Sequence, residues 1–474
     1  MNYISTRGDA SRQNYEGVLW AGLADDGGLY VPESWPSFSM DEIRAMRGLS
    51  YPELACRVME PFLGDFISAD DLSRLVTLSY QNFADPAVTP LRELSSGLYT
   101  EELFHGPTLA FKDMALVPVG KQFDYSLRRS GGHKVVLAAT SGDTGSSAIE
   151  ACRLSPNLTT FILYPLGRTS AVQRLQMTTV KGGNVYAIAI KGDFDDCQAI
   201  VKGAFRDLSF KRHYNLTAVN SINWARIAAQ IPYYFYGALQ RGVADGSGKK
   251  VSFVVPTGNF GDVFAGYAAK QMGLPIEKLV IATNTNNILH RFMQTGTMMM
   301  EAVVPTHSPS MDIAVSSNFE RLLFGVVGRD SKTLRTHMEN LAQQGQFTVG
   351  DDVMGKLRET FVSGEADDWR TEKAISFVYQ KYRRLIDPHT AVGVAVARDM
   401  LKNPQSPLSG SEVICLSTAH PAKFPEVVEK CTGQHPPLPD HLADLFDRPE
   451  RIYMLPNDLG AVQKFIREHT PDLG

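Results

Sequence analysis

Six short apolar runs, each followed by a helix-length segment, constrain this chain more than any other feature. They are KVVLAAT (134–140), TFILYP (160–165), NVYAIAI (184–190), KVSFVVP (250–256), KLVIAT (278–283) and SEVICLST (411–418). β-branched runs of this length, bounded by turn residues, read as strands buried on both faces. Alternation of such strands with helices requires parallel sheets covered on both sides. The expected fold class is therefore α/β. At 474 residues the chain is too long for one compact core, so two or three domains are expected. Between 330 and 385 charge rises and helical patterning dominates, which reads as a helical insertion.

Ligands in open parallel sheets bind beyond the carboxyl ends of the strands. Four strand ends carry small polar loops there: ATSGDTG, LYPLGRTS, VPTGNFGD and LSTAHPAKF. In SGDTGSS (141–147), Ser141 or Asp143 can cap the following helix. Its free N–H groups can equally hold an anion, and a plain βα turn is the bland alternative. In TGNFGD (257–262), Gly258 and Gly261 let the backbone approach a ligand, and Asn259 offers a donor. G-N-F-G-D is not G-x-G-x-x-G, so a phosphate cradle fits better than a dinucleotide turn. The apolar segment 219–239 opens with Asn220, Asn223 and Arg226 in its first turns. Arginine suits bidentate phosphate or carboxylate binding, against the alternative of an ordinary surface arginine. Thr418 and His420 end the last strand, and His389 and His105 read as structural histidines before catalytic ones.

The segment HGPTLAFKD (105–113) puts Lys112 into an apolar stretch. A buried lysine must be paired, neutralised or used covalently. Desolvation depresses its pKa and keeps the amine nucleophilic. A lysine together with phosphate-binding loops makes pyridoxal 5′-phosphate (PLP) the economical cofactor. It needs one lysine, one phosphate cradle and one partner for its ring nitrogen.

Several classes are disfavoured. A formal charge of −4 and a pI near 6.3 give no basic footprint for nucleic acid. Five cysteines, without C-x-x-C spacing, argue against a disulfide framework and for the cytoplasm. The N-terminus lacks an apolar signal core, and no run approaches the roughly 18 to 20 residues that cross a bilayer. Eleven histidines without H-E-x-x-H give no metal site.

HGPTLAFKDMAL, ATSGDTGSSA, FILYPLGR, QMTT, AVNSINWARI, TGNFGD, DPHTAVG and STAHPAKF, in this order, together resemble the threonine synthase family, in its longer bacterial and fungal branch. The resemblance runs from near residue 22 to beyond 430. It implies a fold type II PLP enzyme, similar to the tryptophan synthase β family. Two parallel-sheet α/β domains, an N-terminal α+β domain and the helical insertion are then expected. The expected segments are 1–95 (N-terminal), 96–215 (smaller PLP domain), 216–430 (larger PLP domain) and 431–474 (C-terminal extension). The implied reaction converts O-phospho-L-homoserine and water to L-threonine and phosphate. By motif, Lys112 is the implied Schiff-base lysine. Gly258, Asn259, Phe260, Gly261 and Asp262 form the implied phosphate loop, and Thr418 the partner of the pyridine nitrogen. Ser141, Gly142, Asp143 and Thr144 match the loop that holds the substrate carboxylate. Many relatives carry Asn at the position of Asp143, which leaves Asn220 and Asn223 as candidates for the cofactor O3′. Thr108, Ser141, Asn223 and Arg226, with Arg168 behind them, are candidates for the substrate phosphate. A monomer or homodimer is expected. Another PLP lyase on this scaffold (a threonine or serine dehydratase, or a phospho-lyase) and a non-catalytic PLP-binding relative are the competing readings.

Overall fold

The computed structural model describes residues 1–140 and 142–471. All six expected runs are strands, and they divide between two sheets. The smaller sheet has five strands in the order Tyr453–Pro456, Val185–Lys191, Leu158–Pro165, Lys134–Ala139 and Leu216–Thr217. Every pair in it is parallel. The larger has six, in the order Phe361–Glu365, Ile276–Thr283, Val251–Pro256, Glu412–Ser417, Leu98–Glu102 and Leu91–Ser95. It is parallel except for the 91–102 hairpin at its edge. The fold class is α/β, as expected, with helices on both faces of two mainly parallel sheets.

The expected boundary at 95/96 falls inside that hairpin, and the larger sheet, not the smaller, receives it. Residues 453–456 return from the C-terminal segment to edge the smaller sheet. The insertion is helical (Ser331–Gln344, Asp351–Thr360 and Asp368–Tyr382), but Phe361–Glu365 within it completes the larger sheet.

The fully buried central strands, Leu158–Pro165 and Val251–Pro256, explain the unbroken apolar sequence. Helices Trp224–Gln240 and Gly261–Gln271 pack together against one face of the larger sheet, around Tyr234 and Phe253. Helix Pro388–Lys402 covers the other face through Val392, Val394 and Val396. The N-terminal helices Tyr51–Leu63 and Ala69–Tyr80 join the same large core, with Phe62 set edge-on against Trp224. Helix Lys112–Ser130 bridges the sheets, running from the hairpin to the first strand of the smaller sheet. Strand ends from both sheets thus point toward one region.

Candidate active site

Lys112 opens its helix, which has no side-chain cap. The segment before it is pinned from both ends. The Phe111 N–H donates to the Thr418 carbonyl (2.8 Å), and the His420 N–H to the Leu109 carbonyl (3.0 Å). Asp113 holds the preceding turn: it accepts from the Thr108 N–H (2.7 Å), the Thr108 hydroxyl (2.6 Å) and the Ser147 hydroxyl (2.6 Å). Asp113 therefore shapes the HGPT turn. Thr108 spends its hydroxyl on that turn.

The Lys112 amine lies 3.4 Å from Asp143 Oδ2 and 3.5 Å from Ser310 Oγ. Burial pushes its pKa down; Asp143 pulls it back in part, while Lys423 and Arg226 press it lower. Its place at a helix N-terminus also disfavours a positive charge. Burial opposes the charge on Asp143 as well, but Lys423, Lys112 and His389 outweigh it and hold the carboxyl well below the usual range. Asp143 begins helix Asp143–Cys152 after Gly142, whose φ of 143° suits glycine. The Thr140 hydroxyl accepts from the Gly142 and Gly145 N–H groups (3.0 and 2.8 Å), tightening that loop. Thr144 follows in the helix's first turn. Ser141 lies outside the described residues.

Around Lys112 is a cleft of about 510 Å³, counting its open mouth. Asp143, Ser310 and His389 line it, as do Gly258, Asn259, Phe260, Gly261 and Asp262, and Thr418. The structure thus brings together Lys112, Asp143, the entire TGNFGD loop and Thr418. The TGNFGD loop has the local geometry of a strand-to-helix turn. Phe260 is left-handed (φ 67°) and leads into helix Gly261–Gln271 without a side-chain cap of its own. The Gly261 N–H is held by Asn259 Oδ1 (3.2 Å), and the first-turn residues Gly261, Asp262 and Val263 line the cleft at the positive end of the helix. A Cβ on Gly258 would stand 2.7 Å from the Ser310 carbonyl oxygen, so only glycine allows this approach. The Asp262 carboxyl turns away toward Tyr233 and Tyr234, whose hydroxyls donate to Oδ1 (2.5 and 2.8 Å). Burial pushes its pKa up to about 6 against those two bonds. Its contribution to an anion is thus its backbone.

Other expected residues lie elsewhere. Asn223 caps its helix by accepting from the Ala225 N–H (2.8 Å) and donates to the Leu19 carbonyl (2.8 Å), so its side chain is engaged within the fold. Asn220 keeps a buried Oδ1 without a partner. Arg226 is 4% exposed, with Nε and Nη1 unpartnered among the described residues. Burial pushes its pKa down to about 10. Neither Asn223 nor Arg226 lines the cleft. Arg168 is exposed on the turn after Pro165.

Three participants, Ser310, Gln173 and Lys423, were not legible as site residues, and His389, which reads as a structural histidine, joins them. Ser310 donates to Asp143 Oδ2 (3.1 Å), and its N–H donates to His389 Nε2 (3.2 Å). That makes His389 Nδ1 the protonated nitrogen, 2.9 Å from Asp387 Oδ1. Gln173 donates to Asp143 Oδ1 (2.9 Å), and Lys423 Nζ lies 2.9 Å from the same oxygen. Lys423 stands in the STAHPAKF segment, where a lysine beside Phe424 was the available signal. Among the described residues no His, Cys, Asp or Glu cluster could hold a metal ion.

The residues fit PLP: a desolvated amine on the cleft wall, a glycine-containing backbone loop at a helix start, and the hydroxyl-bearing Thr418 in the same lining. Comparisons with known proteins agree. Residues 2–80 match the family described as threonine synthase N terminus, 85–418 pyridoxal-phosphate dependent enzyme, and 390–466 threonine synthase, C-terminal. The chain is 51% identical over 470 residues to a threonine synthase of Pseudomonas aeruginosa, covering 99% of this chain and 98% of that one. It superposes on a crystal structure of PLP-bound threonine synthase from Brucella melitensis with a TM-score of 0.95, at 47% identity over 99% and 100% of the two chains. For threonine synthase from yeast the values are 0.93 and 38%, over 99% and 98%. The chain belongs to the threonine synthase family of PLP-dependent enzymes.

Proposed function

We propose that the chain converts O-phospho-L-homoserine and water to L-threonine and phosphate with Lys112 as its cofactor lysine. The observation that carries this assignment is the convergence of a cleft-facing, desolvated Lys112 with the Gly258–Asp262 cradle. When bound, PLP supplies an electron sink for negative charge developing on substrate carbon atoms.

The chain's own residues supply the rest. The backbone N–H groups after Asn259 hold a phosphate at the positive end of their helix. Thr418 would partner the cofactor's ring nitrogen through its hydroxyl, a neutral contact that would favour protonation there less than a carboxylate would. The Lys112 amine, with its pKa lowered by burial, takes a proton from the substrate's α-carbon and later returns one. Asp143 Oδ2 and Ser310 Oγ keep that amine within reach. The Gly142–Thr144 loop is the candidate for the substrate carboxylate, and its Asp143 is the candidate nearest Lys112 for the cofactor O3′. Arg226 is the candidate cation for the substrate phosphate, supported by its unpartnered guanidinium nitrogens.

No helix among the described residues is long and apolar enough to cross a membrane. A cytoplasmic setting is part of this reading, supported by five free cysteines. A monomer or homodimer acting on a small molecule, without nucleic acid, completes it. Assay of phosphate and amino-acid product from O-phosphohomoserine tests the reaction: threonine and phosphate in equal amounts are expected. Phosphate with 2-oxobutyrate would instead identify a phospho-lyase.

A further inference from the structure

Two lysines converge on Asp143, and they differ in kind. Lys112 lies on the cleft and makes only long contacts, at 3.4 and 3.5 Å. Lys423 is 0% exposed and is surrounded by acceptors. Its amine donates to the Thr108 carbonyl (2.8 Å) and Gln176 Oε1 (3.0 Å), and lies 2.9 Å from Asp143 Oδ1. A lysine so deeply buried is unfavourable unless paired. A merely structural position here would be better filled by an apolar side chain.

The partners come from separate parts of the fold. Lys423 follows the larger sheet's strand Glu412–Ser417, whereas Asp143 and Gln176 belong to helices of the smaller sheet. Gln176 Nε2 donates to the same Thr108 carbonyl (3.1 Å), closing the arrangement. The two carboxylate oxygens of Asp143 divide their work. Oδ1 takes Lys423 and Gln173, the supporting side. Oδ2 takes Ser310 and Lys112, the side of the cleft.

We infer that Lys423 is a positioning residue: reaching across from the larger sheet, it keeps Asp143 a carboxylate aimed at the Lys112 amine. Lys112 changes its bonding during turnover and cannot serve as a constant counter-charge. Lys423 does not react, so it is the cation that stays. The other charged or titratable groups around these residues are His389, which accepts from the Ser310 N–H, Asp113, which shares Thr108 with Lys423, His420, which precedes Lys423 in the same segment, and Arg226, whose charge acts on Lys112 from outside the cleft lining. The inference rests on Lys112 as the cofactor lysine.

The test is a pH titration of the visible absorbance of the lysine-bound cofactor in purified holoenzyme, for wild type, Asp143→Asn and Lys423→Met. Removing the anion beside Lys112 in Asp143→Asn lowers the midpoint. Losing the Lys423 charge by itself would raise the midpoint, because that cation presses the Lys112 amine lower. If Lys423 keeps Asp143 ionised, loss of the Asp143 charge 3.4 Å from that amine outweighs this, and Lys423→Met lowers the midpoint by roughly one pH unit. Its kcat should fall at least about tenfold, and Lys423→Arg should restore part of both. An unchanged midpoint would reduce Lys423 to packing. A raised midpoint would mean that Asp143 stays charged without it. Either result overturns the inference. If Lys423→Met does not fold, Lys423→Gln keeps a donor for Thr108 and reads the same directions. Persistence of the absorbance band in Lys112→Ala is a separate failure, because it would remove the lysine assignment beneath the inference.

Discussion

Asp262→Asn isolates an electrostatic cost built into the phosphate cradle. Asp262 is buried at the start of helix Gly261–Gln271, and both tyrosine hydroxyls share Oδ1, while Oδ2 has no partner. Desolvation therefore outweighs the two bonds and raises its pKa from the usual carboxylate value to about 6. Such a rise corresponds to roughly 3 kcal/mol. A carboxyl raised on folding binds its proton more tightly in the native state. Its favourable contribution is complete below the unfolded pKa near 4 and is lost as pH rises through about 6. Glu101, whose carboxyl burial also pushes well up, is the acidic neighbour. Asparagine keeps the accepting oxygen for both tyrosines and cannot ionise. Unpaired Nδ2 adds a fixed offset that does not vary with pH. Urea-unfolding midpoints of the two proteins, compared between about pH 4 and pH 8, should diverge. The variant should gain on wild type by roughly 2 to 3 kcal/mol over that range. A constant difference would refute the argument and mean that Asp262 is already ionised at low pH.

Two further substitutions read the site from other sides. Arg226→Ala removes an unpaired buried cation that could otherwise grip the substrate phosphate. Its kcat/KM should fall about 10- to 100-fold with cofactor retained, as expected for one charge-assisted bond, and unchanged kinetics would take Arg226 out of the site. Gly258→Ala drives a Cβ toward the Ser310 carbonyl at 2.7 Å, and displacement of that backbone should cost about 1 to 3 kcal/mol and weaken PLP binding measurably by dialysis and absorbance.

Much of the fold was written locally. Six core strands announced themselves because burial on both faces demands continuous β-branched runs. The hairpin Leu91–Ser95 and Leu98–Glu102 did not: LRELS carries the charges of an edge strand, and LYTEE, although paired on both sides, ends in two glutamates of which Glu101 is fully buried. Phe361–Glu365 was hidden between helices, and Tyr453–Pro456 joins a sheet whose other strands end by 217. The same division holds at the site. Lys112, the TGNFGD loop and Thr418 carry local chemistry at a strand end or helix start. Ser310 and Lys423 act through partners 167 and 315 residues away, so no spacing rule could reach them. Asn223 carries two readings at once: a residue type suited to ligands is also the helix cap that its position requires.

The central claim is that Lys112 is the amine through which the cofactor works. Absorbance spectra of wild type and Lys112→Ala, recorded before and after O-phosphohomoserine, test it most directly. Wild type should show the lysine-bound cofactor band, change on mixing, and release threonine and phosphate. Lys112→Ala should lack that band and produce no threonine. A variant that keeps the band and turns over would contradict the account.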